Sequence, residues 1–185
     1  IQNAFANSSS SLIQSKMNGN LVFVMLAPLS SLEFYLAFVA AAVVRGVMVG
    51  TVLYGVAMWW EGLPLHSLPL VLLFSILGSA LMGTIGLIAA IWADKYDQLA
   101  AFQNFLILPL SFLSGVFYSI YSLPPIWQGL SRFNPFFYMI DGVRYGFLGH
   151  SDVPPLHSAL VVFGFLLILS GICVSMLAKG YKLRS

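Results

Sequence analysis

The stretch Leu113–Gly149 reads LSGVFYSIYSLPPIWQGLSRFNPFFYMIDGVRYGFLG, and its reading decides the architecture. It lies between two long apolar runs. It carries Arg132, Asp141 and Arg144 among aromatic residues, and three of the chain's nine prolines. A soluble linker would be more polar. A membrane span would carry fewer charges and no Pro-Pro pair. The caps point to two short helices instead. Ser122 is placed to cap one, with Pro124 and Pro125 in its first turn. Asn134 is placed to cap the next, with Pro135 at the first helical position, where a missing N–H costs nothing. Phe136, Phe137, Ile140, Val143 and Phe147 give that second helix a broad apolar face. Asp141 and Arg144 sit three apart, close enough to pair. The pattern predicts a hairpin that dips partway into a bilayer and returns to the same side.

Composition sets the class. Of 185 residues, 59% are hydrophobic and 8% are charged, whereas soluble domains carry about 25% charged residues. A soluble fold of this size could not cover such a chain with polar surface. The net charge of +2 gives no reason to expect nucleic acid as a partner. The single cysteine, Cys173, lies inside an apolar run and has no intrachain disulfide partner.

Working outward from the hairpin, the spacing predicts four complete spans and one partial one. Phe34–Trp60 is the first full span, with one charge, Arg45. Ser67–Ala93 is the second and has none. Gln98–Tyr118 is the third, with Pro109 expected to kink it. Leu156–Ala178 is the last. Each of the first two reaches roughly 40 Å as a helix, ample for a hydrocarbon core of about 30 Å. Asp94–Asp97 is a tight polar connection. Ahead of them, Ile1–Ile13 is too short and serine-rich to cross alone. Asn18-Gly19-Asn20 is a turn signal. Ser30 and Glu33 form a capping box that announces the next helix. Between them, Leu21–Leu26 is apolar but too short to cross.

Lys and Arg set the orientation. With the C-terminal tail inside, the inner side holds Lys16, Lys95, Lys179, Lys182 and Arg184, against Arg132 and Arg144 outside. The bias predicts a cytoplasmic tail and an external hairpin. Trp59, Trp60, Tyr118, Tyr121 and Trp127 then fall at the outer boundary, as an aromatic belt would.

The hairpin also carries a resemblance. Ser114, Gly115, Val116, Phe117, Leu123, Pro124, Asn134, Pro135, Asp141, Arg144 and Gly149 resemble the signature region of the permease subunits of type-2 ABC exporters. The likeness extends upstream through Ala93–Gln98 and Lys16–Pro28. Ser119 departs from it, standing where many members have proline. The resemblance implies an all-α membrane permease of six spans, so this chain is expected to be a fragment, a single permease domain over 1–185 with about one and a half spans missing upstream. It implies an inner-membrane protein of a bacterium that moves a substrate outward by alternating access. It further implies an ABC ATPase partner that holds ATP and magnesium, none being expected on this chain, and a second, identical permease subunit in contact with membrane lipid. The loop in the position of Lys16, Asn18, Gly19, Asn20, Leu21, Phe23, Met25 and Glu33 carries the coupling helix in that family.

No motif supports chemistry on the chain itself. The phosphate-binding GxxxxGK[ST] pattern is absent. His66, His150 and His157 have no metal-ligand spacing. Gly115, Pro124, Asn134, Pro135, Asp141 and Arg144 form the hairpin set; Asp141–Arg144 reads first as a structural tie and second as a gate or substrate contact. Arg45 lies about 16 Å along its helix, near mid-membrane. It either faces a bundle interior or aqueous path, or snorkels to an interface. Ala42, Gly46 and Gly50, and Ser79 and Gly83, repeat every four residues as packing faces, for this chain's own helices or for a partner subunit. A non-transporting assembly protein and an intramembrane lipid-modifying enzyme are the alternatives. The enzyme would need several ionisable residues at one depth, and only Arg45 qualifies.

Overall fold

Long apolar runs in a bilayer must satisfy their backbone groups internally, which leaves helix as the form for an unclosed chain. The structure is a computed structural model that describes residues 2–20, 29–116, 122 and 124–182, and among these there is helix and no strand. The elements are α1 (Gln2–Met17), α2 (Ser31–Glu61), α3 (Leu68–Trp92), α4 (Tyr96–Phe102), a π turn (Gln103–Ile107), α5 (Leu108–Phe112), α6 (Pro125–Arg132), α7 (Pro135–Leu148) and α8 (Pro155–Ala178). Three of them, α2, α3 and α8, are long and apolar enough to cross a membrane.

The local signals explain most boundaries. The capping box that starts α2 is present: the Ser30 Oγ accepts from the Glu33 N–H at 3.2 Å, and the Glu33 carboxylate accepts from the Ser30 N–H at 2.8 Å. Gly62 ends α2 in the left-handed region at φ 62°. Asn134 caps α7 as its sequence position predicts, its Oδ1 accepting from the Phe136 N–H at 3.0 Å with Pro135 following.

Two expectations need correction in detail. Ser122 is not the N-cap of the first hairpin helix. That helix starts at Pro125, and Pro124 takes the cap position at φ −57° and ψ 150°. The ring of Pro125 disfavours helical geometry at the residue before it, so the helix cannot begin earlier. The stretch expected as one kinked helix over Gln98–Tyr118 is helical from Tyr96 to Phe112, and its disturbance is a π turn ahead of Pro109. The Leu108 N–H bonds back to the Gln103 carbonyl across that turn. The ladder is already shifted where the proline lacks its donor, so the ring is accommodated without breaking the helix. Gly115 then turns the chain at φ 74°. Of the residues expected beyond it, Phe117–Tyr121 and Leu123 lie outside the described residues.

Helix α3 is the centre. Of its apolar window 56% is buried, against 17% in α2 and in α8. Helices α1, α2, α7 and α8 all pack on it. Small residues make this crowding workable. Ala42 lies against Gly83, and Gly46 lies against Ser79, so both small-residue repeats interlock within the chain, while Gly50 faces open space. Gly86 lets the backbone of α1 approach: an added Cβ there would sit 2.6 Å from the Phe5 carbonyl oxygen. Glycines on α7 play the same part from the other side, Gly142 against the Phe74 ring and Gly146 against Val71. A buried polar tie joins three helices near one end. The Tyr35 hydroxyl of α2 meets Thr84 of α3 at 2.9 Å and Ser170 of α8.

The Gly86 contact is testable. The neighbour is backbone, so Gly86→Ala must push α1 away from α3. We expect a loss of about 1–3 kcal/mol, read as a lower thermal midpoint in detergent. Gly164→Ala, which meets only open space, should leave the midpoint unchanged or raise it.

Candidate functional site

The hairpin is built from the carbonyls that helices leave unpaired at their ends. The Leu110 carbonyl lies in the last turn of α5 and the Leu113 carbonyl just beyond it. The Asn134 Nδ2 donates to the Leu110 carbonyl at 2.6 Å, and the Ser131 hydroxyl donates to the Leu113 carbonyl at 2.9 Å. Asn134 therefore starts one helix with its oxygen and closes another with its nitrogen. The Tyr138 hydroxyl donates to the Arg132 carbonyl at 2.9 Å, holding α6 against α7. At the far end of α7, the Gly146 carbonyl accepts from the Ser67 N–H at 2.8 Å and the Phe147 carbonyl from the His66 N–H at 3.2 Å. These are the residues just before α3. Gly149 caps α7 at φ 72°, packed under the His66 ring.

Asp141 closes the clasp. Its side chain is 1% exposed. It takes the Arg144 guanidinium on Oδ1 together with the Asp152 N–H at 2.9 Å, and the Val153 N–H on Oδ2 at 3.0 Å. Arg144 also reaches the Asp152 carboxylate at 3.0 Å. One buried carboxylate thus ties α7 to the loop that leads into α8, with every contact on a charged acceptor. The pair expected from sequence spacing is present. Asp152 was not among the candidates. Its only sequence signal is a charge placed shortly before the Pro154-Pro155 helix start. His66 packs on Tyr145 and His157 on Tyr138.

The opposite end of α3 is basic. The Lys16 ammonium, at the end of α1, donates to the Ile91 carbonyl at 3.2 Å and the Ala93 carbonyl at 2.7 Å. Lys182, beyond α8, donates to the Trp92 carbonyl at 3.0 Å and to Asp94 at 2.8 Å. Two cations from two other helices satisfy the last carbonyls of α3, where the helix dipole also favours positive charge. The Lys182 bond holds the Asp94 carboxyl below the ordinary carboxylate range. The ends of α1, α3 and α8 are thereby pinned together. Helix α3 spans about 37 Å between this cluster and the hairpin.

The remaining candidates divide as follows. Asn18 and Gly19 form a turn directly after α1, with the Asn18 N–H on the Gln14 carbonyl at 3.0 Å and Gly19 at φ 71°. Asn20 belongs to the same turn. Glu33 is in the capping box, whereas Leu21, Phe23 and Met25 lie outside the described residues. Arg45 is exposed halfway along α2, and its guanidinium donates to the Asn7 side chain of α1 at 3.0 Å. The contact of Asn7 with Arg45 joins two helices 38 positions apart and leaves no signal in local spacing.

These features define a class: an integral membrane protein of packed helices, with a clasped helical hairpin at one end and a basic junction at the other. The ABC-2 type transporter model matches residues 1–148. The inner membrane transport permease YadH of Escherichia coli K12 is 37% identical over 185 residues, covering 100% of this chain and 72% of that protein. Nodulation protein J of Rhizobium leguminosarum bv. trifolii is 33% identical over 89 residues, 48% of this chain and 32% of that protein. Its counterpart in Neorhizobium galegae is 28% identical over 105 residues, 57% and 37% of the two chains. No solved structure matches. The chain belongs to the ABC-2 type transporter family. It is a transmembrane permease subunit of an ABC transporter in the inner membrane, and membership implies an ABC ATPase as partner.

The clasp yields a prediction. Asp141→Ala strips Arg144 and two backbone N–H groups of their acceptor, and breaking a buried pair from one side costs about 3–5 kcal/mol. We expect a large fall in thermal midpoint for Asp141→Ala. Asp152→Asn, which leaves Asp141 in place, should produce a clearly smaller one.

Proposed function

We propose that the complete protein is an exporter permease that works as a dimer of identical subunits, moved between inward- and outward-facing states by ATP binding and hydrolysis on separate ATPase subunits. Its cargo leaves the cytoplasm. In this reading α2, α3, the α4–α5 stretch and α8 are the four spans and α1 is the inner part of another. The α6–α7 hairpin enters from the outer side and returns to it, and the tail after α8 is cytoplasmic. What supports the orientation is the pairing of two facts: the Lys-rich junction and the hairpin sit at opposite ends of α3, and positive charge collects on the cytoplasmic side of membrane proteins. In the complete protein, cysteines introduced at Gln128 and at Gly149 should both react with an impermeant thiol reagent in intact cells, and one at Tyr181 should not. Labelling of Tyr181→Cys from outside, or of Gln128→Cys and Gly149→Cys from different sides, would overturn the topology.

The ATPase docks, in the same proposal, on the segment from Lys16 to Glu33. It joins α1 to α2, so a push on it moves both. Its ends are set by the Asn18–Asn20 turn and the Ser30–Glu33 box. Lys16 also links it to the end of α3, so displacement at the docking segment reaches three helices. Leu21, Phe23 and Met25 supply the apolar contact. Replacing Phe23 and Met25 together by Asp should leave membrane insertion intact, abolish co-purification of the ATPase and abolish transport. An intact complex with normal transport would refute docking here, and failed insertion would mark the segment as lying in the lipid interface.

A further inference from the structure

Helix α1 has two unlike faces. Ala4, Phe5, Ser8, Ser9, Leu12 and Ile13 are buried against the bundle. Asn3, Ser10 and Gln14 are exposed and Asn7 half-buried. The spacing of these four, i, i+4, i+7 and i+11, puts them on one line along the helix. The line bears three carboxamides and a hydroxyl and no apolar side chain. It runs over most of the length of α1, about 17 Å from Asn3 to Gln14. It does not lie at the membrane surface throughout, because Lys16 at one end of α1 marks the basic junction and Asn7 lies about 14 Å deeper.

Arg45 adjoins this line. It is the fifteenth of 31 residues in α2, the middle of a helix long enough to cross the membrane. Its neighbours Val44 and Met48 are 59% and 63% exposed, as suits contact with lipid. Arg45 leans away from them to the carboxamide oxygen of Asn7. Asn7 is neutral and occupies one of the five donors of the guanidinium. An ionised arginine at this depth, facing hydrocarbon, would be strongly unfavourable. On the opposite side of α1, Phe5 stacks on Phe102 of α4 with centroids 6.1 Å apart, and α1 packs on α3 and α2, so the polar line lies within its outward side, which ends at the exposed Met17.

We infer that the outward line of α1 is a hydrated wall of the transport path, and that Arg45, steered by Asn7, is a mid-membrane binding point for an anionic group on the cargo. The chemistry fits a phosphate- or carboxylate-bearing molecule whose remainder is rich in hydroxyl or amide groups. Such a molecule meets the carboxamides of Asn3 and Gln14 above and below the guanidinium. The inference rests on the permease reading, and it deepens that reading from "some substrate" to an anionic, hydrogen-bonding one.

The test uses the complete permease with its ATPase in vesicles. Cys173 is fully buried, and Cys173→Ala provides a background without thiols in this part of the chain. Single cysteines replace Asn3, Ser10 and Gln14 on the line, Leu12 on the buried face and Val52 on the lipid face. Thiolates, which form in water and not in hydrocarbon, attack methanethiosulfonates to give a mixed disulfide and release methanesulfinate. The three line positions should react and Leu12→Cys and Val52→Cys should not. At Ser10→Cys, the anionic reagent should outpace the cationic one by about threefold or more relative to the same ratio on a free thiol, given a unit charge within roughly one helical turn. Arg45→Gln should remove that preference and leave line labelling in place. Running the assay in phosphatidylcholine alone and with added phosphatidylglycerol separates cargo from headgroup. The same preference in both supports a cargo site, and its loss with the anionic lipid assigns Arg45 to a phospholipid and overturns the inference. Unreactive line positions would also overturn it, because they would place a neighbouring helix or subunit over α1. That outcome is distinct from failure of the permease reading, which would appear as absence of the ATPase from the purified complex.

Discussion

The fold depends on how closely other helices approach α3. In a bilayer, lipid tails solvate an apolar side chain as well as another helix does, so packing must come from close van der Waals fit. Glycine and serine on α3 provide that fit. Gly86 admits the backbone of α1, Gly83 admits Ala42, and Ser79 fills the space that Gly46 leaves. On the third side the small residues are on α7 instead, where Gly142 and Gly146 receive Phe74 and Val71. Four helices thus share one axis helix.

With the packing so close, polar groups are used where helices begin and end. The carbonyls at the end of α3 go to Lys16 and Lys182, those at the end of α5 to Asn134 and Ser131, and those at the end of α7 to the His66–Ser67 backbone. Each bond joins an element to one distant in sequence, so the helix ends are also the joints of the molecule. Unmet carbonyls away from water are costly, which makes the joints hard to lose one at a time.

Much of this was legible in the sequence, for a physical reason that differs by residue. Ser30–Glu33 and Asn134–Pro135 are local devices whose partners lie within three positions, and both appear as expected. The long apolar runs forecast α2, α3 and α8 because length and hydropathy need no tertiary context. Asp141–Arg144 was visible from helical spacing. What escaped was non-local. The second function of the Asn134 side chain depends on Leu110, and the burial of Asp141 depends on the backbone of Asp152 and Val153. The partial span expected over Ile1–Ile13 is the helix α1, which runs on to Met17; its serines suit a helix because they bond back to it, as Ser9 does to Phe5 and Ser10 to Ala6. The start of α6 was misplaced because Ser122 looks like a cap, while the steric effect of Pro125 on Pro124 outweighs it.

The π turn at Gln103–Ile107 has a mechanical meaning of its own. Such a turn holds one residue more than the α-helical path would, so everything after it is out of phase by about 100° with everything before it. The two halves of the α4–α5 rod are therefore keyed separately. The first half presents Phe102 to Phe5, and the second presents the Leu110 carbonyl to Asn134. In an uninterrupted α-helix, one rotation would have to serve both contacts. With the extra residue, the rod acts like a crankshaft with two throws, and the angle between α1 and the hairpin is written into the backbone instead of into any side chain.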